Sequence, residues 1–377
     1  MAKKITDKIT QDKLSGFVYQ IFDITKKESN FIAVIAVLTF ICGAVSPYPD
    51  IAMWVGFALA GYSAIANDSI QTIGTFIASN SQRPWWLLWL FIGIIFLITV
   101  THSWLRYDGD VSSQILLSKG FSEAPQSFSF LQLSAPIILL ILTRMRMPVS
   151  TTFLLLSVFS TDGSAIFSVL QKSFSGYLLA FAMAIVVWFV VGAFVKKYFV
   201  GKPSNWWIPL QWIISGALWA AWIMQDAANI AIFLPRSLSL GQFIAFCSFI
   251  FLGLGLLFYL KGDKIQGIVN EKSGITDVRA ATIVDFIYAL LLFYFKSLSN
   301  IPMSTTWVFI GLLGGRELAI SLTKKRRKKK IKSTKDSFQM VGRDLAYATI
   351  GLIVSMILAI TINENVRKEL LTFVFGQ

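Results

Sequence analysis

Long apolar runs separated by short polar stretches occupy the chain from Phe31 to Ile362. A helix needs about 20 mostly apolar residues to cross a bilayer. Runs of that scale predict spans at 31–47, 51–80, 85–105, 129–145, 148–172, 174–195, 206–237, 241–261, 281–298, 302–323 and 342–362. Those at 51–80 and 206–237 are read as broken, and 148–172 as a broken span or paired half-helices. The predicted fold class is an all-α polytopic membrane protein of about ten or eleven spans, counting an extra N-terminal helix at 31–47.

Composition agrees with a lipid-facing exterior: 55% of the 377 residues are hydrophobic and 14% charged, with mean hydropathy +0.66, too little polar surface to coat a soluble globule of this size. The first sixteen residues lack the apolar core and cleavage site of a signal peptide and predict a retained, basic, amphipathic segment. Cys42 and Cys247 both lie in apolar runs and are expected to be small buried hydrophobes, neither disulfide partners nor metal ligands.

A net charge of +14 invites a nucleic-acid reading, but the placement of the charges points to topology. Nine Lys/Arg fall between Lys324 and Lys335 with no acid among them, which places that loop in the cytoplasm beside anionic lipid. Alternation from it puts the N-terminus inside as well, in an inner or plasma membrane. Trp85, Trp86 and Trp89, with Trp206, Trp207 and Trp212, are expected to anchor interfaces, and His102, the only histidine, to sit near an outer one.

Five spans before residue 200 and five after it, with 31–47 set aside, make the two halves run oppositely through the bilayer, the plan of inverted-repeat transporters. The expected division is a basic segment at 1–30, an extra helix at 31–50, one repeat at 51–198 and another at 199–377 carrying the basic loop 324–341. Short motifs recur in matching order. Ala66-Asn-Asp-Ser-Ile-Gln-Thr-Ile-Gly74 is echoed by Met224-Gln-Asp-Ala-Ala-Asn-Ile-Ala-Ile232, and Met147-Pro-Val-Ser-Thr-Thr152 by Ile301-Pro-Met-Ser-Thr-Thr306. Asp68 and Asp226 are 158 residues apart, Ser150 and Ser304 154.

Asp68 and Asp226 lie inside apolar runs, where a carboxylate costs several kcal/mol unless paired, hydrated or bound to a cation. With Asn67, Gln71 and Thr75 beside one, and Gln225 and Asn229 beside the other, they offer hard oxygen ligands for sodium. Pro148 and Pro302 mark expected helix starts at membrane depth. There, unpaired N–H groups and the hydroxyls of Ser150, Thr151, Thr152, Ser304, Thr305 and Thr306 would wrap a small anion.

At these residues the chain resembles the inorganic phosphate transporter family of sodium- or proton-coupled carriers, which carries a Gly-Ala-Asn-Asp motif and a Pro-x-Ser-Thr-Thr-His motif in each half. The resemblance covers about 51–362. It implies an inverted-repeat fold with broken helices and half-helix hairpins, phosphate held by the Ser/Thr motifs beside cation-binding Asp and Asn groups, and a homodimer. The sequence departs from the pattern at Gln71 and Gln225-Asp226, and Phe153 and Trp307 stand where the family has histidine. The expected function is thus symport of inorganic phosphate with sodium, with protons as the other coupling ion. Sulfate or bicarbonate are alternative anions, and an anion channel or sensor is the rival class.

An enzyme is not expected, because no histidine–cysteine or metal-ligand constellation is present and the Ser/Thr motifs lack a general base. No cofactor is expected beyond the coupling ion. Asp285, near the start of the 281–298 span, could relay a proton or hold a second cation, but the preferred reading is that it complements the helix dipole. Arg316 and Glu317, adjacent on a helix, are expected not to pair, with Arg316 snorkelling to the cytoplasmic face. Gly61, Gly74, Gly311, Gly314 and Gly315 are expected to allow close helix contact.

Overall fold

The computed structural model describes residues 28–118, 120–145, 147, 149–160, 163–198, 201–260, 277–299, 304–323 and 334–375. The N-terminal basic segment, most of the basic loop, Pro148 and Pro302 lie outside the described residues. In chain order the helices are α1 Ser29–Val45 and α2 Pro49–Ala64; a π-helical turn, Ile65–Ser69, joins α2 to α3 Ile70–Ser79. Next come α4 Trp85–Arg106, the short α5 Ile115–Ser118, α6 Phe130–Arg144, α7 Thr151–Ser157 and α8 Gly163–Tyr198. The remainder are α9 Trp207–Ala231, α10 Leu240–Tyr259, α11 Val278–Ser299, α12 Thr305–Thr323, α13 Thr334–Ile362 and α14 Glu364–Phe375.

Six helical stretches among the described residues are long and apolar enough to cross a bilayer: Pro49–Asp68, Trp85–Arg106, Ser173–Val190, Trp207–Ala231, Leu240–Tyr259 and Phe338–Ile362. Ser29–Val45 and Phe130–Arg144 are apolar but shorter. The protein is inverted relative to a soluble bundle. Leucine, isoleucine and valine stripes spaced by four residues, such as Ile94 and Ile98, Val186 and Val190, or Ile353 and Ile357, point outward, as lipid contact requires, whereas serine, threonine and carboxylate side chains gather inside.

Two predicted breaks resolve differently. The 51–80 span is interrupted by the π turn, with helix continuing on both sides of it. The 206–237 span is not: α9 runs without interruption through Gln225 and Asp226 and ends at Ala231. A straight helix already carries these polar residues on its buried face, so no break is needed to bring them inward. The 148–172 segment divides into the seven-residue α7 and the start of α8, which continues for 36 residues across the expected boundary at 173.

The halves interleave. α9 packs on α11, α4 and α3, and α12 packs along α8. Here glycine is required by distance, since a Cβ at Gly311 would stand 2.4 Å from the carbonyl oxygen of Tyr177, and one at Gly315 2.3 Å from that of Phe181. One turn apart on α12, the two glycines let it lie directly on the α8 backbone, the small-residue contact that membrane helices use to gain van der Waals energy.

The C-terminal end of α9 is clipped by one side chain. Arg236 Nη1 donates to the carbonyl of Leu234 at 2.8 Å and to those of Ala231 and Ile232 at 3.3 Å. Its Nε and Nη2 donate to Phe121 and Glu123 carbonyls at 2.8 Å, tying the 107–129 loop to that end. Burial lowers the guanidinium to about 10, so it stays charged at neutral pH. Phe128, Phe159 and Phe233 pack against one another at the same end, with Phe159 and Phe233 edge-to-face at 4.9 Å.

Arg316 and Glu317 do pair, at 2.7 Å. The long guanidinium curls to its neighbour instead of projecting along the helix, and it lies 5.0 Å from the Trp188 ring. It is 9% exposed, so it does not snorkel. The tryptophans divide: Trp86 and Trp206 are exposed, as interfacial anchors would be, whereas Trp89 donates to the Phe251 carbonyl and Trp212 to Asn80. His102 is exposed near the end of α4. Cys42 and Cys247 are free and buried.

Candidate functional site

The π turn carries Asn67 and Asp68 inward. A π turn holds one more residue than an α turn in the same rise, so it redirects side chains without ending the helix. Asp68 is 2% exposed and Asn67 3%. Asn67 Nδ2 donates to Asp68 Oδ1 at 2.7 Å and to the Val149 carbonyl at 3.2 Å. Asp226 and Asn229 arrive from α9, one turn apart, and Asn229 Nδ2 donates to Asp226 Oδ1 at 2.7 Å.

The Ser-Thr-Thr segments meet these carboxylates directly. The Thr151 hydroxyl donates to Asp68 Oδ2, while the next residue, Thr152, donates to Asp226 Oδ1 at 3.1 Å. From the other motif, Thr306 Oγ1 contacts Asp68 Oδ1 at 3.4 Å and the Val149 carbonyl at 3.3 Å. Asn229 Nδ2 also reaches Thr152 Oγ1, at 3.0 Å. Two motif pairs separated by more than 150 residues therefore converge on one buried cluster.

The remaining predicted residues take other positions. Ser150 and Ser304 cap their own helices, accepting from the N–H groups of Phe153 at 3.0 Å and Trp307 at 3.2 Å. Thr305 is buried, and its carbonyl accepts from Tyr288. Gln225 donates to the Leu292 carbonyl at 2.8 Å, joining α9 to α11. Thr75 lies on the Asp285 carboxylate. The side chain of Gln71 lies outside the described residues.

Two contributors escape sequence inspection. The Val149 carbonyl accepts from both Asn67 and Thr306, and any residue type would supply it. Ser173, on α8, accepts from the Ser304 N–H at 3.1 Å. Asp285 does not sit at its helix end as a dipole complement. It lies seven residues into α11, is 1% exposed, and accepts from Ser215 Oγ at 2.5 Å as well as from Thr75.

Chemically, the centre is a set of hard oxygens: two carboxylates, three threonine hydroxyls, the Asn229 Oδ1 and the Val149 carbonyl. Asn229 Oδ1 is buried with no hydrogen-bond donor among the described residues, and an orphaned acceptor of this kind costs about 1–3 kcal/mol. A sodium ion would satisfy it and offset the two carboxylate charges. The donor set fits that ion. α7 is too short for a large macrodipole, so an anion beside it would rely on hydroxyl donors.

Phe153 and Trp307 line a small cavity together with Ser150, Ser173 and Ser355. They do not donate to the central cluster.

The fold and this buried centre define a polytopic all-helical membrane protein with an oxygen-rich site at the meeting point of its two halves. Among solved structures, the chain is similar to one described as the sodium-dependent phosphate transporter, with a TM-score of 0.53, 17% sequence identity, and coverage of 86% of this chain and 99% of that one. The likeness is one of architecture. No family model matches the sequence, and no curated protein is significantly similar to it.

Proposed function

We propose that the protein is a secondary transporter that moves inorganic phosphate, or an oxyanion of like size such as sulfate, together with sodium. The observation that carries this reading is the engagement of Thr151, Thr152 and Thr306 with the carboxylates of Asp68 and Asp226. Hydroxyls that are donating to carboxylates are not free to bind an anion. Sodium binding to Asp68 and Asp226 weakens the carboxylates as acceptors, and the hydroxyls can then turn toward an anion. Cation occupancy thereby becomes the condition for anion binding, which is the thermodynamic core of coupling.

The order also removes an electrostatic obstacle, because an anion would otherwise meet two buried negative charges. Movement of one part of the bundle against the rest, along the interface of threonines and aspartates at the centre, would then carry both ions across.

Uptake of labelled phosphate, sulfate and bicarbonate into proteoliposomes, with sodium and proton gradients imposed separately, tests the reading. Phosphate accumulation driven by the sodium gradient is expected. Absence of gradient-driven accumulation of all three anions would overturn it.

A further inference from the structure

The small cavity beside Phe153 and Trp307 lies where α7, α8, α12 and α13 meet, and three serines line it: Ser150, Ser173 and Ser355. All three are buried, at 5%, 2% and 1% exposed. The cavity leaves about 10 Å³ for the centre of a water-sized sphere, roughly the room that a single water needs.

A serine hydroxyl carries one donor hydrogen and two acceptor lone pairs. Ser150 Oγ accepts from the Phe153 N–H and Ser173 Oγ from the Ser304 N–H. Among the described residues each of these hydroxyls therefore uses only a lone pair and keeps its hydrogen to place. Ser355 is the converse: its Oγ donates to the Gly351 carbonyl at 2.8 Å, which uses its hydrogen and leaves its lone pairs. No hydrogen bond joins the three serines directly among the described residues, and a buried donor left without an acceptor is costly. Two donors and one acceptor around a water-sized space suit a buried water, which typically makes about three hydrogen bonds. No carboxylate lines the cavity, so it offers a cation no counter-charge.

The two donors serve different motifs. Ser150 caps α7, whereas Ser173 holds the N–H of Ser304, which in turn caps α12. The acceptor belongs to α13, where Ala348, Gly351 and Ser355, spaced by three and four residues, share one face. A Cβ at Gly351 would stand 3.1 Å from the Val149 side chain, so α13 lies close against the residue whose carbonyl accepts from Asn67 and Thr306. We propose that one ordered water occupies this cavity, accepting from Ser150 and Ser173 and donating to Ser355. Through it Ser173 and Ser355 act as positioning residues that hold the two Ser-Thr-Thr helix starts in register. The water site stands on the cavity itself; its effect on the anion rests on the symport reading above.

The test is X-ray radiolytic footprinting of the full-length chain in lipid nanodiscs. Radiolysis turns water into hydroxyl radicals where it stands, so a buried aromatic ring is oxidised when a bound water lies beside it. Phe153 and Trp307 are 4% and 5% exposed, and oxidation of one or both is expected in the wild type. Ser355→Val, which replaces the acceptor with a methyl group and fills the space with a second, is expected to lower that oxidation several-fold. No oxidation of either ring in the wild type, or equal oxidation in Ser355→Val, overturns the proposal.

Should Ser355→Val fail to fold, Ser355→Ala removes the acceptor without crowding the cavity and carries the same comparison, with equal oxidation again overturning the proposal. In sodium-driven uptake, Ser355→Ala is expected to raise the phosphate concentration for half-maximal rate by about tenfold and to leave the sodium dependence unchanged. An unaltered phosphate dependence overturns the positioning role. Oxidation that depends on Ser355 in a chain that accumulates no anion would sink the symport reading alone.

Discussion

Asp68 reaches the central cluster from a π turn, whereas Asp226 reaches it from an uninterrupted α-helix. The carboxylates answer to adjacent threonines on α7, yet their amide neighbours differ. Asn67 donates to the carboxylate beside it, while Gln225, in the matching position, donates away to α11. On the second side Asn229, one turn on, takes that part. Like chemistry is delivered from unlike backbones, so the two sides should respond unequally to the same kind of change.

The largest effect is expected where the sides are alike. Asp68→Asn and Asp226→Asn should each cut sodium-driven anion uptake by roughly a hundredfold, as removal of charge-assisted bonds worth about 1.5–3 kcal/mol apiece implies. Near-normal initial rates in either variant would show that only one carboxylate couples.

The next test separates the backbones. Deleting Ala66 should straighten the π turn into regular helix and redirect Asp68, lowering uptake by about tenfold to a hundredfold in a chain that still elutes as a folded species. Equal uptake would mean that the π turn does not aim the carboxylate.

Smaller changes are expected for the amides. Asn229→Ala and Asn67→Leu should each raise the sodium concentration for half-maximal uptake by about tenfold. Gln225→Leu, by contrast, should stay within about twofold of wild type and lose about 1 kcal/mol of stability through the α9–α11 bond, measured as a lower midpoint of thermal unfolding. A strong transport defect in Gln225→Leu would restore symmetry to the two sides.

The convergence of Asp68, Asp226, Thr151, Thr152 and Thr306 was legible because two motifs recur in order at nearly equal spacing, and spacing survives where identity does not. The straightness of α9 was not legible. Polar residues in an apolar run look alike whether they mark a break or one buried face of a straight helix. Asp285 was misread for a related reason: a single acid near the start of a span resembles a dipole complement. Its partners, Thr75 and Ser215, are 210 and 70 residues away, and no repeat marks them. The Arg316–Glu317 pair was missed because a rule about where side chains leave a helix says little about where a long flexible one ends.

The glycines of α12 bear on motion. With Gly311 and Gly315 seated on the carbonyls of Tyr177 and Phe181, no cushion of side chains separates α12 from α8 that could shear as the bundle changes shape. Helices in backbone contact interlock like meshed teeth and travel as one mechanical body. A slip plane for alternating access must then run elsewhere, through interfaces where side chains can exchange partners, and the threonines and aspartates at the centre are such an interface.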